Sequence, residues 1–334
     1  MNRDKLKSLG VNLPLLPTTT VGSLPKSETL MTARNSFSHG EISYTKLKQL
    51  ELQMTEFWVK KQDEIGLDVI VDGEMYRGDM AAFFAETLKG FQTGELVRSY
   101  GNRYYRKPVI TGEIKWCGPI TVDWWRYAQS LTVKPVKGMI TGPYTIMDWS
   151  FNEFYPTRRT TALAIARELR KEVEALVEAG VKIIQIDEPA ISTRIEELDI
   201  AREAMHIITE GIQAYFICHI CYGNFTPVYQ HLLSLAVDNL DLETSHRSDI
   251  FESFVRNNVF PKDISYGVVD VHKHEIESVP DIENNIRHVL TMFQQDAIWI
   301  DPDCGLKTRT IEEVIQKLTN MQMAVVNIRQ EVWK

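Results

Sequence analysis

The feature that most constrains this chain is an alternation. Short runs rich in Val and Ile are followed by longer runs whose apolar residues recur every three or four positions. The short runs read as strands at 18–22, 68–72, 138–141, 182–187, 214–219, 239–243, 264–270 and 298–301. The longer runs carry helical periodicity, as in YTKLKQLELQMTEFWVKKQDEIG, ALAIARELRKEVEALVEAG and TIEEVIQKLTNMQMAVVNI. The first two of these end at Gly66 and Gly180, a common helix stop, shortly before the next strand. Eight such units predict a (β/α)8 TIM barrel, in which parallel strands are joined by right-handed helical crossovers.

Residues 89–132 interrupt the rhythm. They are aromatic and turn-rich, with YGNRYYRKPVITGEIKWCGPITVDWWRYAQ, and hold a ninth strand candidate at 108–113. We read them as a β-rich insertion after the second barrel strand, placed over the barrel mouth, because so long a connection in a compact domain usually serves function. The whole of 1–334 is then expected to be one catalytic barrel domain.

Catalytic groups in such a barrel come from the C-terminal ends of the strands. Here those ends are polar: Val21-Gly22-Ser23, Asp72-Gly73-Glu74, Thr141-Gly142-Pro143, Asp187-Glu188-Pro189, His219 with Cys221, Glu243, Asp270 with His272, and Asp301 with Cys304. His219, Cys221, Glu243 and Cys304 are one imidazole, two thiols and one carboxylate, the ligand types of Zn²⁺. Strands ending side by side would gather them at one metal. A zinc that can shed its carboxylate ligand suits binding and activation of a thiol. The bland alternatives are helix caps at Asp72, Asp241 and Asp301 and cysteines that pack as small hydrophobes. The second is expected of Cys117 and Cys218.

Composition narrows the partners. An apolar content of 44% and a charged content of 25% fit a globular protein. A net charge of -8 offers no basic patch for nucleic acid. No apolar run approaches the ~20 residues of a membrane span, and the N-terminus has no secretory core. Four cysteines without framework spacing point to a reducing cytoplasm.

The runs TTTVGSLP, DGEMYRGDM, YAQSLTVKPVKGMITGPYTIMDWSF, IIQIDEPA, HICYGNF, LDLETSHRSD, YGVVDVH and IWIDPDCGLKTR resemble the C-terminal catalytic barrel of cobalamin-independent methionine synthases. They occur in that family's order, from about 18 to 334. The resemblance implies zinc-dependent methyl transfer to the sulfur of L-homocysteine. It implies His219, Cys221, Glu243 and Cys304 as zinc ligands. It places homocysteine at Val21, Gly22, Ser23, Glu74 and Asp187, with His272 as proton donor and Arg103 and Trp149 on the methyl donor. The chemistry is sensible: carboxylates hold an α-ammonium, and a hydroxyl with backbone N–H groups holds an α-carboxylate. For Trp149 a place in the core is the competing reading, and for Glu74 a surface cap.

Two departures bear on the donor. The long enzymes carry a second, N-terminal barrel, and they have a pterin-contacting Glu where this chain has Thr193. With the negative net charge, these lead to the expectation that the donor is methylcobalamin or a methylated corrinoid protein, of a short single-barrel type. Methyl-tetrahydrofolate is the alternative. A cobalt leaving group needs no general acid, so under the first expectation His272 only orients its neighbours. Two rivals remain: methyl transfer from a corrinoid to another thiol, which Glu74 and Asp187 oppose, and a non-catalytic barrel with a structural zinc.

Overall fold

The long helices form where periodicity and capping agree. The helix Tyr44–Ile65 starts at Ser43, whose hydroxyl accepts from the Lys46 amide, and stops at Gly66 in the left-handed region with φ 96°. The helix Arg158–Ala179 opens on a capping box made by Thr157 and Thr160 and stops at Gly180. The helix Ile311–Val332 completes the set anticipated above. The computed structural model describes residues 2–98, 104–221, 228–244 and 260–332.

The chain divides into two compact units. One comprises Arg77–Asp123 and Gly138–Leu240. Its first part holds β1 (Lys89–Gln92), β2 (Leu96–Arg98), β3 (Tyr104–Arg106) and β4 (Val109–Lys115). β2 and β3 pair antiparallel, and so do β1 and β4. Buried Glu172 takes the Trp116 indole N–H and the Ile120 and Thr121 amides, which ties the end of this segment to the helix Arg158–Ala179. Next come β5 (Gly138–Thr141), β6 (Phe151–Asn152), β7 (Ile183–Asp187) and β8 (Tyr215–Ile220). β5, β7 and β8 are parallel and buried along their whole length, as expected of strands covered on both faces.

β9 (Asn239–Leu242) carries the chain onward into the other unit, which comprises Met1–Tyr76, Trp124–Lys137 and Asp241–Lys334. There β10 (Asp263–Val269) pairs parallel with β11 (Ile298–Pro302). Six of the eight expected strands are therefore regular. The first two, at 18–22 and 68–72, are reduced to isolated bridges, Thr18 with Ile300 and Ile70 with Val136. The reason is local. The Asp68 carboxylate takes both the Thr18 amide and its hydroxyl at 2.8 Å, so side chains replace part of the ladder.

Of the two cysteines expected to pack, Cys218 is buried, but Cys117 is exposed. No helix among the described residues is long and apolar enough to cross a membrane.

Candidate active site

In the first of these units the register of three strands aligns polar ends. Thr141 pairs with Asp187 and Asp187 with His219, so one row crosses the C-terminal ends of β5, β7 and β8. Asp187 is 6% exposed and accepts from the Gln185 side-chain Nε2 at 2.7 Å. His219 and Cys221 are both buried at the end of β8, two residues apart on one face of the chain. Trp149 closes the helix Pro143–Asp148 and is half-buried, so it is not the core aromatic of the competing reading. Its carbonyl accepts from the Tyr105 hydroxyl at 3.4 Å.

Glu188, next to Asp187, is fully buried. It accepts from the Tyr144 amide at 3.0 Å and from the Thr145 amide and hydroxyl at 2.7 and 2.6 Å. Burial pushes its carboxyl up to about 7, against these hydrogen bonds, which favour the charged form. A Cβ on Gly142 would stand 2.1 Å from this carboxyl carbon, so the close approach requires glycine.

In the other unit, Val21 and Gly22 are buried and Ser23 half-buried. The Ser23 carbonyl accepts from the Leu306 amide at 2.8 Å, and a Cβ on Gly305 would stand 2.1 Å from the Ser23 hydroxyl. The 21–23 turn is thus packed against the chain just after Cys304. Glu74 is 9% exposed and has φ 60°, left-handed for a non-glycine residue. It is no surface cap. Asp72 caps no helix either: its carboxylate accepts from the Glu74 amide and the Tyr76 hydroxyl, both at 2.9 Å.

His272 follows β10, and its amide bonds the Asp270 carboxylate at 2.8 Å. Its ring Nε2 lies 2.9 Å from Oε1 of Glu243, with the two side chains 35% and 12% exposed. His219 and Cys221 offer a nitrogen and a sulfur at the end of β8 in one unit, and Cys304 offers a sulfur after β11 in the other. Arg103 lies outside the described residues. Sequence reasoning missed Glu188 as a structural carboxylate, and it missed the groups around Glu74: Lys26, Arg34 and Glu51. No spacing rule marks these.

Comparison with known proteins follows the same lines. The family model described as "Cobalamin-independent synthase, Catalytic domain" matches residues 16–327. A protein of Sulfolobus acidocaldarius named methionine synthase is 36% identical over 96% of this chain and 95% of its own. A 5-methyltetrahydropteroyltriglutamate--homocysteine methyltransferase of Thermotoga petrophila is 38% identical over 98% of this chain but only 46% of its own length. The chain therefore spans about half of that relative. A B12-independent methionine synthase from Shewanella sp. W3-18-1, solved with selenomethionine, superposes with a TM-score of 0.85 at 24% identity, covering 96% of this chain and 99% of its own. At that identity the likeness shows the fold, the (β/α)8 barrel with its β-rich insertion.

The expectation of methylcobalamin, or of a corrinoid protein as donor and partner, is overturned. The matched family is cobalamin-independent, and the Thermotoga relative is named for a methyl-pteroyl donor. The inference failed because its grounds were indirect. Net charge describes the whole surface and not one binding groove. Thr193 in place of a Glu removes one contact, not a donor class.

Proposed function

The chain belongs to the cobalamin-independent synthase family, matched by its catalytic domain, and from that membership we propose that it moves a methyl group from a 5-methyltetrahydropteroyl donor to the sulfur of L-homocysteine, forming L-methionine. It is an enzyme, a methyltransferase. The observation that carries this reading is the match along nearly the full length of both chains to a relative named methionine synthase.

In this reading residues 1–334 are a single catalytic barrel, with 89–132 as an insertion. Zinc fits the donor types that His219, Cys221, Glu243 and Cys304 would offer, one nitrogen, two sulfurs and a carboxylate. Bound there, Zn²⁺ supplies a thiolate from a thiol whose ordinary pKa near ~8.5 would leave it mostly protonated. Asp187 and Glu74 hold the α-ammonium of homocysteine. Ser23 and the neighbouring backbone N–H groups hold its carboxylate. Trp149 and Arg103 contact the pterin. With a folate donor the leaving nitrogen must be protonated, and His272 is the general acid. Its ring Nε2, 2.9 Å from the Glu243 carboxylate, is oriented by that partner.

The test is a methyl-transfer assay with homocysteine, offering methyl-tetrahydropteroyltriglutamate and methylcobalamin in parallel, on protein assayed for zinc. Turnover with the folate is expected, and His272→Asn should lower it by about 10²–10⁴-fold, the usual general-acid contribution. Turnover with methylcobalamin alone would overturn the donor. Full activity with Cys304→Ser at unchanged zinc content would overturn the ligand set.

A further inference from the structure

Glu74 and Leu16 are the described non-glycine residues with positive φ, at 60° and 52°. A side chain persists in that region only where its surroundings hold it, and such residues cluster at functional sites. The surroundings of Glu74 do hold it. Gly73, also left-handed at φ 79°, turns the chain into it. The Asp72 carboxylate fixes the Glu74 amide at 2.9 Å. On the other side of the residue, Lys26 Nζ donates to the Glu74 carbonyl at 3.0 Å. Arg34 Nη1 donates to the next carbonyl, that of Met75, at 3.2 Å. Arg34 is itself anchored on the Glu51 carboxylate, which is 3% exposed.

The two cations are not idle surface charges. Lys26 is half-buried, and burial brings its ammonium down to about 8, with Arg34 and Lys307 adding repulsion and the Glu74 carboxylate opposing it. Glu51 is raised by burial and lowered by Arg34 and Lys26. Two partly buried cations donate to two consecutive main-chain carbonyls. Both carbonyls belong to buried residues, Glu74 at 9% and Met75 at 0% exposure, so each needs a donor from the protein.

We propose that Lys26 and Arg34 are positioning residues which lock the turn from Asp72 to Met75 in its left-handed form, so that Glu74 presents its carboxylate to the α-ammonium of the thiol substrate. This rests on the homocysteine reading above and deepens it. Neither residue needs to touch the substrate. Their effect runs through Glu74, by its backbone and for Lys26 also by charge on its carboxylate, and so it falls on the ammonium half of the substrate and not on the thiol or the carboxylate.

The test uses the zinc-loaded full chain and two thiols: homocysteine as substrate, and 4-mercaptobutyrate, the same molecule without its amino group, as competitive inhibitor. Lys26→Met is expected to raise KM for homocysteine about tenfold, a coupling of roughly 1.4 kcal/mol. The kcat, zinc content and inhibition constant of 4-mercaptobutyrate should stay within about twofold, on the scale of that tenfold effect. Lys26→Arg, which keeps a donor and the charge, should recover most of the loss, and Arg34→Met should repeat the pattern. Equal weakening of both thiols would overturn the proposal, because a general loosening or a direct contact with the carboxylate affects both. An unchanged KM in Lys26→Met and Arg34→Met would overturn it as well. If Lys26→Met does not fold, Lys26→Arg and Arg34→Met carry the same comparison. A wild-type protein that does not methylate homocysteine would overturn the function itself, whereas an active wild type with indifferent variants would overturn this proposal alone.

Discussion

Two acidic strand ends, Asp72-Gly73-Glu74 and Asp187-Glu188-Pro189, look alike in sequence and are built in opposite ways. At the first, the leading carboxylate is the structural one: Asp72 holds the Glu74 amide and the Tyr76 hydroxyl, and Glu74 is the one proposed to meet substrate. At the second, the trailing carboxylate is structural: Glu188 takes two amides and a hydroxyl at the start of the helix Pro143–Asp148, and Asp187 is the one proposed to meet substrate. The backbone decides which. Asp187 is still on strand β7, so its side chain follows the pleat, while Glu188 turns away from it. In the first turn Gly73 and Glu74 are both left-handed, and this reverses the order. Each pair of acids thus holds one clamp and one carboxylate proposed as a binder, and composition alone does not say which is which.

The largest effect that would break this comparison is at the second clamp. Glu188→Ala leaves the Tyr144 and Thr145 amides buried without their acceptor, at a cost on the order of 4 kcal/mol. Urea unfolding measures it. A loss under ~1 kcal/mol, the size of an ordinary hydrogen bond, would mean that Glu188 is no clamp.

A smaller effect sharpens the same point through pH. The Glu188 carboxyl is raised from its ordinary value to about 7 by burial, so the folded state binds this proton more tightly than the unfolded chain. Its stabilising contribution is therefore complete below about 4.5 and is lost as pH rises through about 7. Between pH 5 and 7 the loss amounts to about 2 kcal/mol. Glu188→Gln, which keeps an acceptor oxygen and cannot ionise, should remove this part of the slope. Parallel wild-type and variant curves over that range would show that Glu188 ionises at its ordinary pKa.

Much of this was legible in the sequence for physical reasons. Short apolar runs marked β5, β7, β8, β10 and β11, and Leu240 with Leu242 marked β9, because strands buried on both faces leave an apolar signature. Polar residues at their ends marked Asp187, His219 and Cys221. The first two strands were over-read, because a carboxylate from Asp68 replaces ladder bonds around Thr18 and propensity does not register that. The clamps were invisible for a related reason. Lys26 and Arg34 act on main-chain carbonyls from separate segments, and no sequence spacing encodes such a contact. The donor was misread because it was argued from net charge and a single Thr rather than from a site.

The smallest effect isolates the first turn from everything else that Glu74 does. Glu74→Ala and Glu74→Gly both delete the carboxylate, so both lose the same side-chain interactions and should bind homocysteine equally poorly. They differ in the backbone. Alanine keeps the Cβ that clashes in the left-handed region, while glycine adopts φ 60° at little steric cost. If the turn is held against that strain, Glu74→Gly should be more stable than Glu74→Ala by about 1 kcal/mol, the size of the left-handed penalty. The opposite order is what an unstrained or mobile turn gives, because glycine then only adds freedom to the unfolded chain. Paired urea melts of the two variants decide the sign. Glycine the less stable of the two would show that Glu74 is not locked, and the contrast with Asp187 on its regular strand would disappear.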